Sequence, residues 1–166
     1  MVKPIYIAGE WKNGRGALRA TTFPADGSIN ADIATANADD VEEAVQAADK
    51  AWRDPSWRHR LPHERAAILY KVADLVAARA TTLAALQTRD NGKPLTETMA
   101  LVMSAAGTAR YFAAACETLD ESLPSQRSHD YMTASVYEPL GVVVAITPWN
   151  SPIASEMQKI APALAA

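Results

Sequence analysis

The stretch Val142-Val143-Val144-Ala145-Ile146-Thr147-Pro148-Trp149-Asn150-Ser151-Pro152 decides the fold class. Its first five residues are apolar, mostly β-branched and without alternation, the pattern of a strand covered on both faces in a parallel sheet. Ile153, Met157, Ile160 and Leu164 then recur at i, i+4, i+7 and i+11. That spacing predicts a helix with Asn150 or Ser151 as N-cap and Pro152 in the first turn, where its missing N–H would be unpaired anyway. Strand, tight turn and helix in this order predict the opening half of a βαβ unit, in which ligands bind at the carboxyl end of the strand. The G-x-G-x-x-G fingerprint is absent, so a nucleotide would be held by a different turn.

Upstream of this unit the pattern changes. Pro139-Leu140-Gly141 reads as a corner, and Tyr131 to Tyr137 alternates in strand fashion after the polar, turn-rich run Glu117 to Arg127. Before that comes a largely apolar helix over about 95 to 118, expected to be buried, preceded by Asn91-Gly92 as a C-cap pair and Pro94 as a restart. A helix beginning at Pro62 carries Ile68, Leu69, Val72, Leu75 and Val76 on one stripe and breaks near Thr81-Thr82. Asn37 with Asp40 three residues on predicts a capped amphipathic helix over about 38 to 53, followed by a linker at Arg53-Asp54-Pro55-Ser56. The first 35 residues alternate short β-prone runs with turns at Gly9, Asn13-Gly14 and Asp26-Gly27, which predicts a small antiparallel opening segment.

Composition narrows the function classes. A net charge of −3 over 166 residues and a pI near 5.6 leave no electrostatic footprint for nucleic acid or an anionic membrane. The start MVKPIYIAGEW lacks a charged segment leading into a long apolar run, and no stretch reads as reaching the ~18 apolar residues of a membrane span, so a cytoplasmic protein is expected. One cysteine, Cys116, permits neither an intrachain disulfide nor a cysteine-based zinc cluster. His59, His63 and His129 are scattered, and no metal site is expected.

Asn150 has the chemistry to donate its side-chain N–H to a developing oxyanion, and the position to cap a helix; spacing alone leaves both open. Lys159, nine residues on, can reach a phosphate, a ribose or a proton-relay carboxylate, or stand as a solvated surface lysine. Cys116 sits in Ala113-Ala114-Ala115-Cys116, where a cysteine behaves as a small hydrophobe rather than a nucleophile.

The run EPLGVVVAITPWNSPIASEMQKIAPALAA, Glu138 to Ala166, closely resembles the aldehyde dehydrogenase pattern of E-P-x-G-V, a short apolar strand, P-W-N-x-P and K-x-x-P-A-L-A. Upstream, Tyr6-Ile7-Ala8-Gly9-Glu10-Trp11 resembles that family's opening strand and turn. Asp90-Asn91-Gly92-Lys93-Pro94 with Glu97 resembles its interhelical turn, and Arg110-Tyr111-Phe112 a pattern in the next helix.

The resemblance implies an α/β fold of N-terminal helices and antiparallel strands leading into the first βα unit of a Rossmann-like parallel sheet, here incomplete. Residues 1–119 would pack on the cofactor domain, 120–139 would form an oligomerisation strand segment, and 140–166 would begin the dinucleotide-binding domain. It implies aldehyde oxidation to a carboxylic acid with NAD or NADP through a cysteine thiohemiacetal, the nucleophile lying beyond residue 166. Asn150 would then be the side-chain oxyanion donor, and Lys159 would stand near the cofactor or a proton relay. Ile146, Thr147, Pro148 and Trp149 would line the cofactor cleft, and Ser104, Ser151 and Gln158 would border the substrate tunnel. The implied partners are an aldehyde and further copies of the chain, as a dimer or tetramer. Three readings compete with this one: a superfamily sibling that reduces acyl phosphates or makes acyl-CoA, a non-catalytic module docking on intact subunits, and a helical structural protein with an accidental turn.

Overall fold

A computed structural model describes residues 2–166. Five short strands come first: β1 (Val2–Lys3), β2 (Ile5–Ile7), β3 (Glu10–Lys12), β4 (Leu18–Thr22) and β5 (Ile29–Ala34). β2 pairs antiparallel with β3 through the turn at Ala8-Gly9, and β4 pairs antiparallel with β5 through the turn around Asp26-Gly27. The expectation of a purely antiparallel segment needs one correction. β1 lies parallel to β5, with Val2 opposite Asp32, because a hairpin and β4 intervene and return the chain in the same direction.

Asn37 starts α1 (Ala38–Arg53) with a complete capping box: the Asp40 N–H donates to Asn37 Oδ1, and the Asn37 N–H donates to Asp40 Oδ2, both at 3.0 Å. The predicted linker is itself partly helical. Asp54 accepts the Ser56 N–H at 2.8 Å, and Pro55 opens the four-residue α2 (Pro55–Arg58), a short turn that an N-cap and an N1 proline nucleate locally. α3 (Pro62–Ala78) begins at the predicted proline. Its end and the start of α4 (Ala80–Asn91) meet at Arg79, slightly before the expected break. Gly92 adopts φ 77° and closes α4 through its N–H to the Thr88 carbonyl at 2.9 Å, as the Asn91-Gly92 pair predicts.

α5 (Leu95–Thr118) and α6 (Pro152–Ala165) complete the helices. α3, α5 and α6 form the core, in which Ala66, Leu69 and Ala73 meet Ala105, Ala109, Ala113 and Cys116, with Met157, Ala161 and Ala165 against them. Mostly alanine at these contacts lets the helices approach closely. That choice also corrects the predicted stripe on α6. Ala154, Met157, Ala161 and Ala165 face inward, which turns Ile160 outward to 47% exposure.

α5 is long and apolar enough to cross a membrane by length and composition, contrary to the expectation that no stretch is. Its position is that of a central core helix. Val102, Ala105, Ala106 and Ala109 are fully buried in the core, and Arg110 pairs across to Asp74 of α3 at 2.6 Å. Its outer face carries exposed Met103 and Tyr111, so the helix is not buried all round as its composition suggested.

Two expected strands do not form ladders. In Tyr131 to Tyr137 the chain doubles back on 121–126, with the Ser135 N–H donating to the Ser122 carbonyl at 2.8 Å and Gln126 bonding both the N–H and the carbonyl of Thr133. A lone two-stranded ribbon has no third strand or helix to stabilise it, and regular pairing is not reached. Val142 to Ile146 pairs with no other strand among the described residues. Instead of being covered on both faces, Val144 is 76% and Ile146 88% exposed, because no neighbouring strand flanks this run. The corner before it is where the sequence placed it: Gly141 takes φ 93° against the Trp52 ring, where an added Cβ would stand 3.5 Å from the indole nitrogen.

Candidate active site

The turn between the extended run and α6 is shaped by its neighbours rather than by its own caps. Ser151 occupies the N-cap position, yet its side chain makes no cap hydrogen bond; its carbonyl accepts the Ser155 N–H at 3.0 Å. Asn150 is one residue earlier and does not cap the helix either. Its side chain is exposed and has no hydrogen-bond partner among the described residues, while its backbone carbonyl accepts from Asn91 Nδ2 at 3.2 Å. Of the two readings open from the sequence, the structure disfavours the cap.

The first turn of any helix leaves backbone N–H groups without intrahelical partners. In α6 one of these, on Ile153, donates to Gln87 Oε1 of α4 at a long 3.4 Å. Gln87 is 4% exposed, and its Nε2 is buried without a partner. Neither Gln87 nor Asn91 stood out in the sequence for this purpose. The sequence presents Asn91 as half of a C-cap pair within a turn that resembles the family's, and nothing in the pattern of α4 marks Gln87 as facing a helix 66 residues away in the chain.

Ile146, Thr147, Pro148 and Trp149 form one continuous strip into this turn, Thr147 half-buried and the others exposed, Trp149 by 82%. Lys159 stands on the exposed side of α6, seven residues past Pro152 and so about 10 Å along the axis, without an ion-pair partner among the described residues. Close by in sequence, Glu156 has its carboxyl pushed up from the usual range by partial desolvation, although the residue as a whole is exposed. Ser104 on α5 and Gln158 on α6 are exposed, and Ser151 is half-buried. These three are not joined by a hydrogen bond among the described residues.

Cys116 is placed far from nucleophilic work. It is buried in the core, where its thiol points at two backbone carbonyls, Ala165 at 3.1 Å and Pro62 at 3.4 Å. The Ala165 carbonyl also accepts from Arg65 Nε at 3.1 Å, so α3 and α5 together satisfy an end of α6 that lacks an intrahelical donor.

Comparison with known proteins follows this geometry. The model of the aldehyde dehydrogenase family matches residues 11–166. A (Z)-2-((N-methylformamido)methylene)-5-hydroxybutyrolactone dehydrogenase from Acinetobacter baylyi is 39% identical over 162 residues, covering 98% of this chain and 33% of its own. A betaine aldehyde dehydrogenase point mutant from Staphylococcus aureus, solved in complex with NAD+, superposes with a TM-score of 0.94 at 30% identity, over 98% of this chain and 33% of that one. An Escherichia coli NADP dependent enzyme gives a TM-score of 0.94 at 33% identity, over 99% of this chain and 34% of that one. The chain thus spans about a third of the length of the relatives it matches.

These short strands and helices are the N-terminal portion of a mixed α/β fold shared with those solved structures. The chain belongs to the aldehyde dehydrogenase family.

Proposed function

We propose that this chain supplies the oxyanion donor and one wall of the cofactor cleft to an enzyme that oxidises an aldehyde to a carboxylic acid with NAD or NADP. The observation that carries this reading is the Asn150 side-chain amide, exposed and unpartnered at the head of α6 while its own carbonyl is tied down by Asn91. A donor that no internal acceptor engages, on a backbone held from behind, suits an oxygen that gains charge during reaction.

In this mechanism a cysteine thiolate adds to the aldehyde carbon, and the carbonyl oxygen becomes an oxyanion that accepts the Asn150 Nδ2–H. A nicotinamide held against Ile146, Thr147, Pro148 and Trp149 would supply the hydride acceptor for the thiohemiacetal carbon. Loss of that hydride leaves a thioester, and a water deprotonated by a carboxylate base adds to its carbonyl carbon, breaks the C–S bond and releases the acid and the cysteine thiolate. Cys116, sealed in the helical core, is not that thiolate. Ile146 and Trp149 offer apolar surface and Thr147 and Pro148 offer backbone to the cofactor, a combination suited to a flat ring and ribose. Lys159 provides a cation on the same helix for a phosphate, a ribose hydroxyl or a proton-relay carboxylate. Ser104, Ser151 and Gln158 give the aldehyde path a small, polar border. The doubled-back segment within 120–139 is the surface through which copies of the chain assemble as a dimer or tetramer, in the cytoplasm.

Asn150→Ala in the enzyme that carries this segment lowers kcat about 100-fold or more, the loss seen when one oxyanion donor is removed. Turnover close to wild type would remove Asn150 from the mechanism. The purified 1–166 chain with an aliphatic aldehyde and NAD or NADP produces no reduced cofactor; measurable production would show that the chain holds its own nucleophile.

A further inference from the structure

The Asn150 turn is positioned from a distance, and its anchors lie on one face of one helix. Asn91 and Gln87 are four residues apart on α4, so their side chains project to the same side. Asn91 donates Nδ2 to the Asn150 carbonyl at 3.2 Å, and Gln87 accepts the Ile153 N–H at 3.4 Å, three residues further along the same turn. The two bonds bracket Ser151 and Pro152. On the approach side the chain from Val142 to Ile146 has no ladder to hold it, and the helix has no side-chain cap of its own.

Asn91 is built to be directional. Its Oδ1 accepts the Lys93 N–H at 3.1 Å, which fixes the amide plane and leaves Nδ2 to face Asn150. The end of α4 is itself immobilised. Thr88 Oγ1 bonds Thr98 Oγ1 of α5 at 2.8 Å, Arg89 Nε donates to Asn30 Oδ1 at 2.6 Å, and Asn30 Nδ2 donates back to the Arg89 carbonyl at 2.9 Å. Holding the Asn150 carbonyl restricts rotation about its Cα–C bond, and with it the direction in which the Cα–Cβ bond that carries the amide leaves the backbone.

We propose that Asn91, supported by Gln87, is a positioning residue for aldehyde oxidation, setting the direction of the Asn150 amide without touching substrate. This rests on the oxyanion reading of Asn150. A misplacement of about 1 Å costs up to about 100-fold in rate, so the bond has room to act through geometry alone.

Two variants isolate it in the enzyme that carries this segment. Asn91→Asp keeps the acceptor for the Lys93 N–H and replaces the donor facing Asn150 with an oxygen. Asn91→Ser keeps a turn acceptor on a side chain too short to reach the carbonyl. Both are expected to lower kcat about 10-fold with KM for the nicotinamide cofactor within about twofold and an unchanged melting temperature. In an Asn150→Ala background the same changes have no further effect on kcat, because there is no amide left to aim. Wild-type kcat in both variants overturns the proposal, and so does an equal loss in the Asn150→Ala background, which would mark a merely structural role. If Asn150→Ala alone turns over normally, the oxyanion reading fails. If it is slow while both Asn91 variants are fast, the positioning role alone fails.

Discussion

Arg15 grips the Asp40 carboxylate twice, with its backbone N–H at 2.8 Å and its guanidinium Nε at 2.6 Å. The Asn37 N–H adds a third bond at 3.0 Å, and the Asp40 side chain is 1% exposed. These donors, the Arg15 backbone N–H foremost, hold the carboxyl at about 2, below its ordinary 3.8. A carboxyl depressed in the folded state stabilises it fully above the unfolded value and loses that contribution as pH falls through the folded one. The contribution of Asp40 is therefore present above about pH 4 and is lost towards pH 2. Asp40→Ala lowers the melting temperature at neutral pH and flattens the dependence of stability on pH between 4 and 2, both read by circular dichroism. A variant whose acid limb matches the wild type would show that Asp40 does not control it.

Gly92 is held at φ 77°, and a Cβ there would meet Pro24 Cβ at 3.2 Å. Gly92→Ala brings the left-handed penalty of an L-residue, about 1–2 kcal/mol, together with a tight contact. The denaturant midpoint should fall accordingly, and Gly92→Asn should fall less, since asparagine tolerates this region better than alanine. Equal midpoints for Gly92→Ala and the wild type would contradict the assignment.

Arg89 joins α4 to the β4–β5 hairpin: it bonds Asn30 Oδ1 and Ser28 Oγ and lies over the Phe23 ring at 4.7 Å. Arg89→Ala is expected to cost about 1–2 kcal/mol, because these contacts are partly open to solvent. Faster amide exchange should be concentrated at residues 23–30. Uniformly faster exchange would indicate a global effect instead.

Cys116 is buried with its thiol on the carbonyls of Pro62, at the start of α3, and Ala165, at the end of α6, so its reactivity should be that of the folded core. A thiol reagent should label it only after denaturant is added, and Cys116→Ala should leave turnover of the enzyme near the wild-type rate while reducing stability by about 1 kcal/mol. Rapid labelling of the native protein would refute this placement.

Local signals carried most of the fold. Asn37 with Asp40, Pro62, the Asn91-Gly92 pair and Pro94 each act within a few residues, and each marked its helix end as found. Val142 to Ile146 is different, because a strand exists only with a neighbour and its β-branched pattern does not say whether one is present. The parallel pairing of β1 with β5 was hidden for a related reason: two residues of strand carry no period. In the candidate site, the motif pointed to Asn150 and its flanking residues, whereas the groups that hold that turn, Asn91 and Gln87, lie on α4. Their contribution is a tertiary distance, and sequence spacing does not encode it.

The exposed run from Val142 to Ile146 is tethered at both ends: Gly141 sits against Trp52, and the Asn150 carbonyl is tied to Asn91. Fixing the backbone of one free residue costs about 1–2 kcal/mol of conformational entropy. Much of that cost has already been met here by the folding of the helices on either side. A strand that adds to this edge meets a run whose two ends are already restrained, which favours one register over its neighbours and lowers the entropic barrier to the first paired residues.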